Sequence, residues 1–161
     1  MIRNRVRQFF EAGVQPRDED FALAREWLPQ PLFDVFSGQH PRDVVHAVRT
    51  ARWLLERSRT EPDLIVAALL HDAGKGRQRR LDRVAWVLAE AARLGAIAAR
   101  ERSRLEVRRA MARSRSHAWS GAELIRAAGA PEEAVRLVRL HHRAPGNDPV
   151  LALLQQADAA N

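Results

Sequence analysis

Apolar and polar positions recur at helical spacing along nearly the whole chain, and no stretch sustains the alternation of a half-buried strand. Ala, Leu, Arg and Glu dominate, all good helix formers. Proline and acidic residues mark the starts. The pattern predicts a first helix over about residues 2–12 and a second that Asp18 caps, ending near Trp27. "PLFDVF" reads as a short helical turn between Pro29 and Gly38. Pro41 sits in the first turn of a long helix ending near Arg57, and Pro62 starts another that ends at Gly74. An arginine-rich helical region runs from Arg79 towards Arg115, with Gly95 and Ser103 as candidate breaks. "HAWSGAELIRAAG" is a further helix, opened by His117 and stopped by Gly129. Pro131 opens the next, ending around His142, and Pro149 opens the last after the turn "APGND". The expectation is an all-α bundle of 161 residues in one domain, with residues 1–38 as a helical extension packed on its core.

Polar residues interrupt the apolar stripes at a few places. The run "LIVAALL" ends in His71 and Asp72, within "LLHDAGKGR". His71 is at i+7 from Leu64 and shares a stripe with Ala67 and Ala68, so it faces inward. His141 continues the stripe of Val135 and Val138, and Asp158 continues that of Leu151 and Leu154. His46 lies inside "PRDVVHAVRTARWLL". A buried polar group without a partner costs several kcal/mol when charged, so such groups are paired or hold a metal. One histidine on an apolar stripe is commonly a satisfied core residue. The set is more telling: five helices aim imidazoles and two carboxylates, Asp72 and Asp158, towards one place. His40 precedes Pro41 in a loop, belongs to no such stripe, and reads as structural.

Composition narrows the chemistry. There is no cysteine, which excludes disulfides, thiolate zinc sites and a cysteine nucleophile. The amino terminus is not a secretory signal, and no apolar run approaches the ~18 residues that span a bilayer. A cytoplasmic protein without a membrane partner is expected. The net charge of +7 invites a nucleic-acid reading, but the arginines are spread over most of the chain, and charge alone fits anionic small substrates equally well. Nucleic-acid binding is therefore not expected as the main role. Lys75 is the single lysine among 27 basic residues. Lysine is a mobile point charge and arginine a rigid fork, so the exception calls for a reason.

The segments "RDVVHAVRTARWL", "AALLHDAGKG", "SHAWSGAELIRAAG", "VRLVRLHH" and "LLQQADAAN" follow one another in the order H…HD…H…HH…D. In that order they resemble the HD superfamily of metal-dependent phosphohydrolases, from about Arg42 to the carboxyl end. The resemblance implies an HD-type helical bundle with one or two divalent transition metals, Mn, Fe, Ni, Co or Zn, a range that suits imidazole and carboxylate donors. It implies His46, His71, Asp72 and Asp158 as the defining ligand set. His117, His141 and His142 match the extra histidines of binuclear members, and Asp72 would bridge the ions. The implied reaction is hydrolysis of a phosphomonoester or phosphodiester by a metal-activated hydroxide, with a phosphorylated small molecule, a nucleotide first among them, as substrate. Asp72 and Lys75 are the candidate catalytic residues, and Lys75 and Arg77 the candidate phosphate contacts. The later arginines up to Arg115 read as a solvated face.

Departures from relatives narrow this further. The cyclic-di-GMP phosphodiesterase branch carries a Gly-Tyr-Pro signature, and this chain has no tyrosine. Guanosine tetraphosphate hydrolases carry two acidic residues soon after the dipeptide, where this chain reads "AGKGRQRR". Bacterial 5′-nucleotidase relatives place an acidic residue where Lys75 stands. The alternative function is a catalytically silent HD module that binds a metal or nucleotide as a regulator.

Overall fold

The computed structural model describes residues 15–75 and 106–161, with side chains for 15–75 and 117–161. The expected helix over residues 2–12 and the arginine-rich stretch up to residue 105 lie outside the described residues. Among the described residues there are seven α-helices and no strand. They are α1 (Asp18–Trp27), α2 (Gln30–Ser37), α3 (Pro41–Leu55), α4 (Pro62–Leu70), α5 (Glu106–Ala127), α6 (Glu132–Leu140) and α7 (Pro149–Ala160). A 3₁₀ turn, Ala73–Lys75, follows α4. None of the described helices is long and apolar enough to cross a membrane. The all-α architecture is as expected.

Helix α4 is the axis of the bundle. Every residue from Leu64 to Leu70 is buried, and α1, α2, α3, α6 and α7 all pack on it. A helix apolar on all sides has no other stable place than the interior. Its carboxyl end therefore delivers His71 and Asp72 into the middle of the protein. Gln39 covers that end, its amide donating to the Leu69 carbonyl at 3.3 Å, which satisfies one of the carbonyls a helix leaves open.

Three expectations about helix ends are corrected. Asp18 does not cap α1. Arg17 is the N-cap, and Asp20 at the third helical position accepts a hydrogen bond from the Arg17 backbone N–H at 2.9 Å. A carboxylate at that position reaches back naturally, and Asp20 also ties α1 to α3 through Arg52 at 2.9 Å. His117 does not open a helix. It lies well inside α5, because no proline or glycine interrupts residues 106–120. The helix from Pro62 ends at Leu70, not at Gly74, where the chain tightens into the 3₁₀ turn.

That turn presses directly on α5. A Cβ on Gly74 would lie 2.1 Å from the His117 carbonyl oxygen and 2.5 Å from the Gly121 backbone nitrogen. A Cβ on Gly121 would lie 3.0 Å from the Gly74 backbone nitrogen. Two glycines therefore let two backbones meet, and His117, one turn before Gly121, is brought over Asp72. Gly129, at φ 86°, then ends α5 in the left-handed conformation.

Gly74→Ala forces backbone against backbone, so it is expected to destabilise the fold by about 3 kcal/mol or more in urea unfolding. Gly121→Ala meets less crowding and gains helix propensity, so it should cost less than about 1 kcal/mol. Equal costs would mean that the close approach is not as described.

Candidate metal centre

Five imidazoles form a continuous chain through the interior. The ring centroids of His46 and His71, His71 and His141, and His141 and His117 are each 5.3 Å apart, and those of His117 and His142 are 4.8 Å apart. They come from α3, the ends of α4 and α6, and α5. Asp158 joins from α7, its Oδ1 accepting from His46 Nε2 at 2.9 Å and lying 3.6 Å from His71 Nε2.

Asp72 stands at the centre, 4% exposed. Its two oxygens face opposite ways. Oδ2 lies 3.6 Å from His71 Nε2 and 2.5 Å from Lys75 Nζ. Oδ1 lies 3.5 Å from His117 Nε2 and 4.0 Å from His141 Nε2.

The tautomers of two ligand candidates are set by the helix ends that carry them. His71 Nδ1 donates to the Ala68 carbonyl at 2.9 Å, and His141 Nδ1 donates to the Val138 carbonyl at 2.6 Å. Both bonds reach three residues back, where each helix leaves a carbonyl free. Each ring is thereby fixed with Nε2 pointing inward, the arrangement that orients a metal-ligating histidine. Among the described residues, His71 Nε2, His141 Nε2 and Asp72 Oδ1 are buried without a hydrogen-bond partner. Three unpaired buried polar atoms facing one another are costly unless something binds them.

The donor set fits a metal. His46, His71 and Asp72 form one group, and His117, His141 and His142 another, each with its donor atoms within 4.8 Å of one another. The contacts of 2.9–4.0 Å between donor atoms bracket the separations of about 3.0–3.4 Å that ligands show around one ion with bonds near 2.1 Å. Imidazole and carboxylate without thiolate suits a first-row divalent metal.

The charges are strongly coupled. Burial disfavours a charge on His71, but the carboxylates of Asp72 and Asp158 outweigh it and raise its pKa to about 9. Burial also opposes ionisation of Asp72, yet Lys75, His71, His46 and His117 hold its carboxyl well below the usual range. Asp158 is lowered in the same way, burial being outweighed by the His46 hydrogen bond and the His71 imidazole beside it. His141 goes the other way: burial, with His71 and His142 beside it, lowers it to about 3.

The structure thus brings His46, His71, Asp72, His117, His141, His142 and Asp158 together. Lys75 joins them through Asp72, as neither a solvated cation nor a free one. Arg77 and the arginines from Arg79 to Arg104 lie outside the described residues, and the side chains of Arg108 to Arg115 are not described. His40 is the N-cap of α3, its Nδ1 accepting from the Arg42 backbone N–H at 3.3 Å. Sequence reasoning passed over Gln155. Its amide donates to the carbonyls of His141 at 3.0 Å and Arg143 at 2.6 Å, pinning the paired-histidine turn to α7. The signal was its place one turn before Asp158, on the same face. A family model described as HD domain matches residues 38–160. No curated protein and no solved structure matches the chain.

In chelator-treated protein the His71 imidazole is expected to titrate near 9, while His141 stays neutral from pH 5 to 9, as read by NMR of the ring resonances. Because the folded value of His71 lies above the ordinary ~6.5, its ion pairs stabilise fully below that pH and fade as pH rises through about 9. A His71 midpoint near 6.5 would show that the two carboxylates do not govern it.

Proposed function

Since the chain belongs to the HD domain family, the metal-dependent phosphohydrolase superfamily, we propose that it is a cytoplasmic phosphohydrolase. Its substrate in this reading is a phosphorylated small molecule, with nucleotides first among the phosphomonoesters and phosphodiesters. The observation that carries the reading is the meeting of three buried, partnerless donor atoms on His71, Asp72 and His141.

His46, His71, Asp72 and Asp158 would hold one ion, and His117, His141 and His142 a second. Asp72 would be shared between the two sets, its oxygens facing them separately. A divalent Mn, Fe, Ni, Co or Zn ion bound there would polarise phosphoryl oxygens and lower the pKa of a water. The chain's own contribution is positional. The backbone-anchored rings of His71 and His141 keep their Nε2 atoms inward, and Gln155 holds the second histidine turn in place. Lys75 carries its ammonium beside Asp72, within reach of a phosphoryl group at the centre, where a point charge offsets developing negative charge. Arg77, two residues on, is the further phosphate contact in this reading.

The test is elemental analysis of protein purified without chelators, then a metal-supplemented screen of phosphomonoesters, cyclic nucleotides and nucleoside di- and triphosphates. Wild type is expected to carry one or two transition ions per chain and to hydrolyse at least one class. Asp72→Ala should lose metal and at least about 10³-fold of the activity together. Metal-loaded protein that hydrolyses nothing would leave the silent regulatory module. Protein that takes up no metal would overturn both.

A further inference from the structure

Lys75 and a metal ion would compete for one atom, Asp72 Oδ2. The ammonium lies 2.5 Å from Asp72 Oδ2, on a side chain 27% exposed, while Asp72 is 4% exposed. The backbone joins them as well, the Lys75 N–H donating to the Asp72 carbonyl at 3.0 Å. The lysine therefore sits on a fixed turn with its head group on the carboxylate and part of its stem in reach of solvent. An ion ligated through Oδ2 would share that oxygen with the ammonium, which already engages one of its lone pairs. A divalent ion and an ammonium on the same oxygen also repel each other at close range. Asp72 Oδ1, by contrast, has no hydrogen-bond partner among the described residues.

Resting on the metal-centre reading above, we propose that Lys75 is a built-in counter-ion. It holds the buried Asp72 carboxylate when no metal is bound, and the incoming ion displaces it from Oδ2. Losing a partner of a buried carboxylate is strongly destabilising, and before metal arrives the cation directly on Oδ2 is Lys75 at 2.5 Å, nearer than His71 Nε2 at 3.6 Å. That cation must hold the carboxylate and yet leave readily. A lysine on a four-carbon stem meets both needs, whereas an arginine fork would grip both oxygens of the carboxylate. That accounts for the one lysine in a chain otherwise built with arginine. Once displaced, the ammonium stays tethered one residue from Gly74, beside the centre it vacated.

The test uses the full chain, stripped with chelator and titrated with Mn²⁺ alone by calorimetry, together with thermal unfolding in chelator. Lys75→Met is expected to bind Mn²⁺ about tenfold tighter than wild type, yet to melt about 5 °C lower without metal. A merely structural lysine would move both in the same direction. Lys75→Arg should bind no tighter than wild type. Should Lys75→Met fold only with metal present, Lys75→Gln carries the comparison, and tighter binding is again expected. Equal or weaker binding in the uncharged variant, with wild type binding normally, overturns this inference and leaves the metal centre standing. Failure of wild type and all variants to bind Mn²⁺, Co²⁺ or Zn²⁺ overturns the metal centre and the inference with it.

Discussion

A carboxylate buried at the end of an apolar helix sets the terms for the rest of the molecule. Asp72 is 4% exposed and Lys75 and the histidines around it hold its carboxyl well below the usual range, so its neighbours must be cationic, hydrogen-bond donors or ligands to a shared ion. His71, His117, Lys75 and His141 meet that demand within 4.0 Å. Each comes from a segment that packs on α4 or on the turn after it. The apolar core positions α4, α4 positions Asp72, and Asp72 requires the ring of nitrogen donors around it.

Bringing α5 close enough for His117 to take part is a steric matter. The Gly74 turn meets α5 at Gly121 so closely that a side chain at Gly74 would run into backbone. The same contact fixes the 3₁₀ turn that aims Lys75 back at Asp72. Geometry of the backbone and electrostatics of the centre are therefore one arrangement: widening the first would separate the charges of the second.

Much of this was readable along the chain. The stripes bearing His141 and Asp158 pointed inward, and the prolines at 41, 62 and 149 marked helix starts correctly. His71 was placed inside on the strength of a stripe, although α4 is buried on every side and the stripe alone decides little there. The start of α5 was misplaced because His117 looked like the first polar residue of a new helix, while nothing between 106 and 120 breaks one. Gly121 gave no local sign of its role, since a close approach between helices depends on a partner 47 positions away. Lys75 was singled out for its rarity. Its pairing with Asp72 needed three dimensions, because Lys75 lies beyond the end of α4, in the 3₁₀ turn that brings it back over the carboxylate.

The central claim is that the inward nitrogens and Asp72 are ligands to metal. Anomalous diffraction from crystals saturated with Mn²⁺ tests it directly. The account predicts a peak about 2.0–2.3 Å from His71 Nε2 and Asp72, with any second peak against His141 Nε2 and His117 Nε2. Peaks confined to the surface at full metal loading, with His71 Nε2, His141 Nε2 and Asp72 Oδ1 satisfied by protein or water instead, would contradict it.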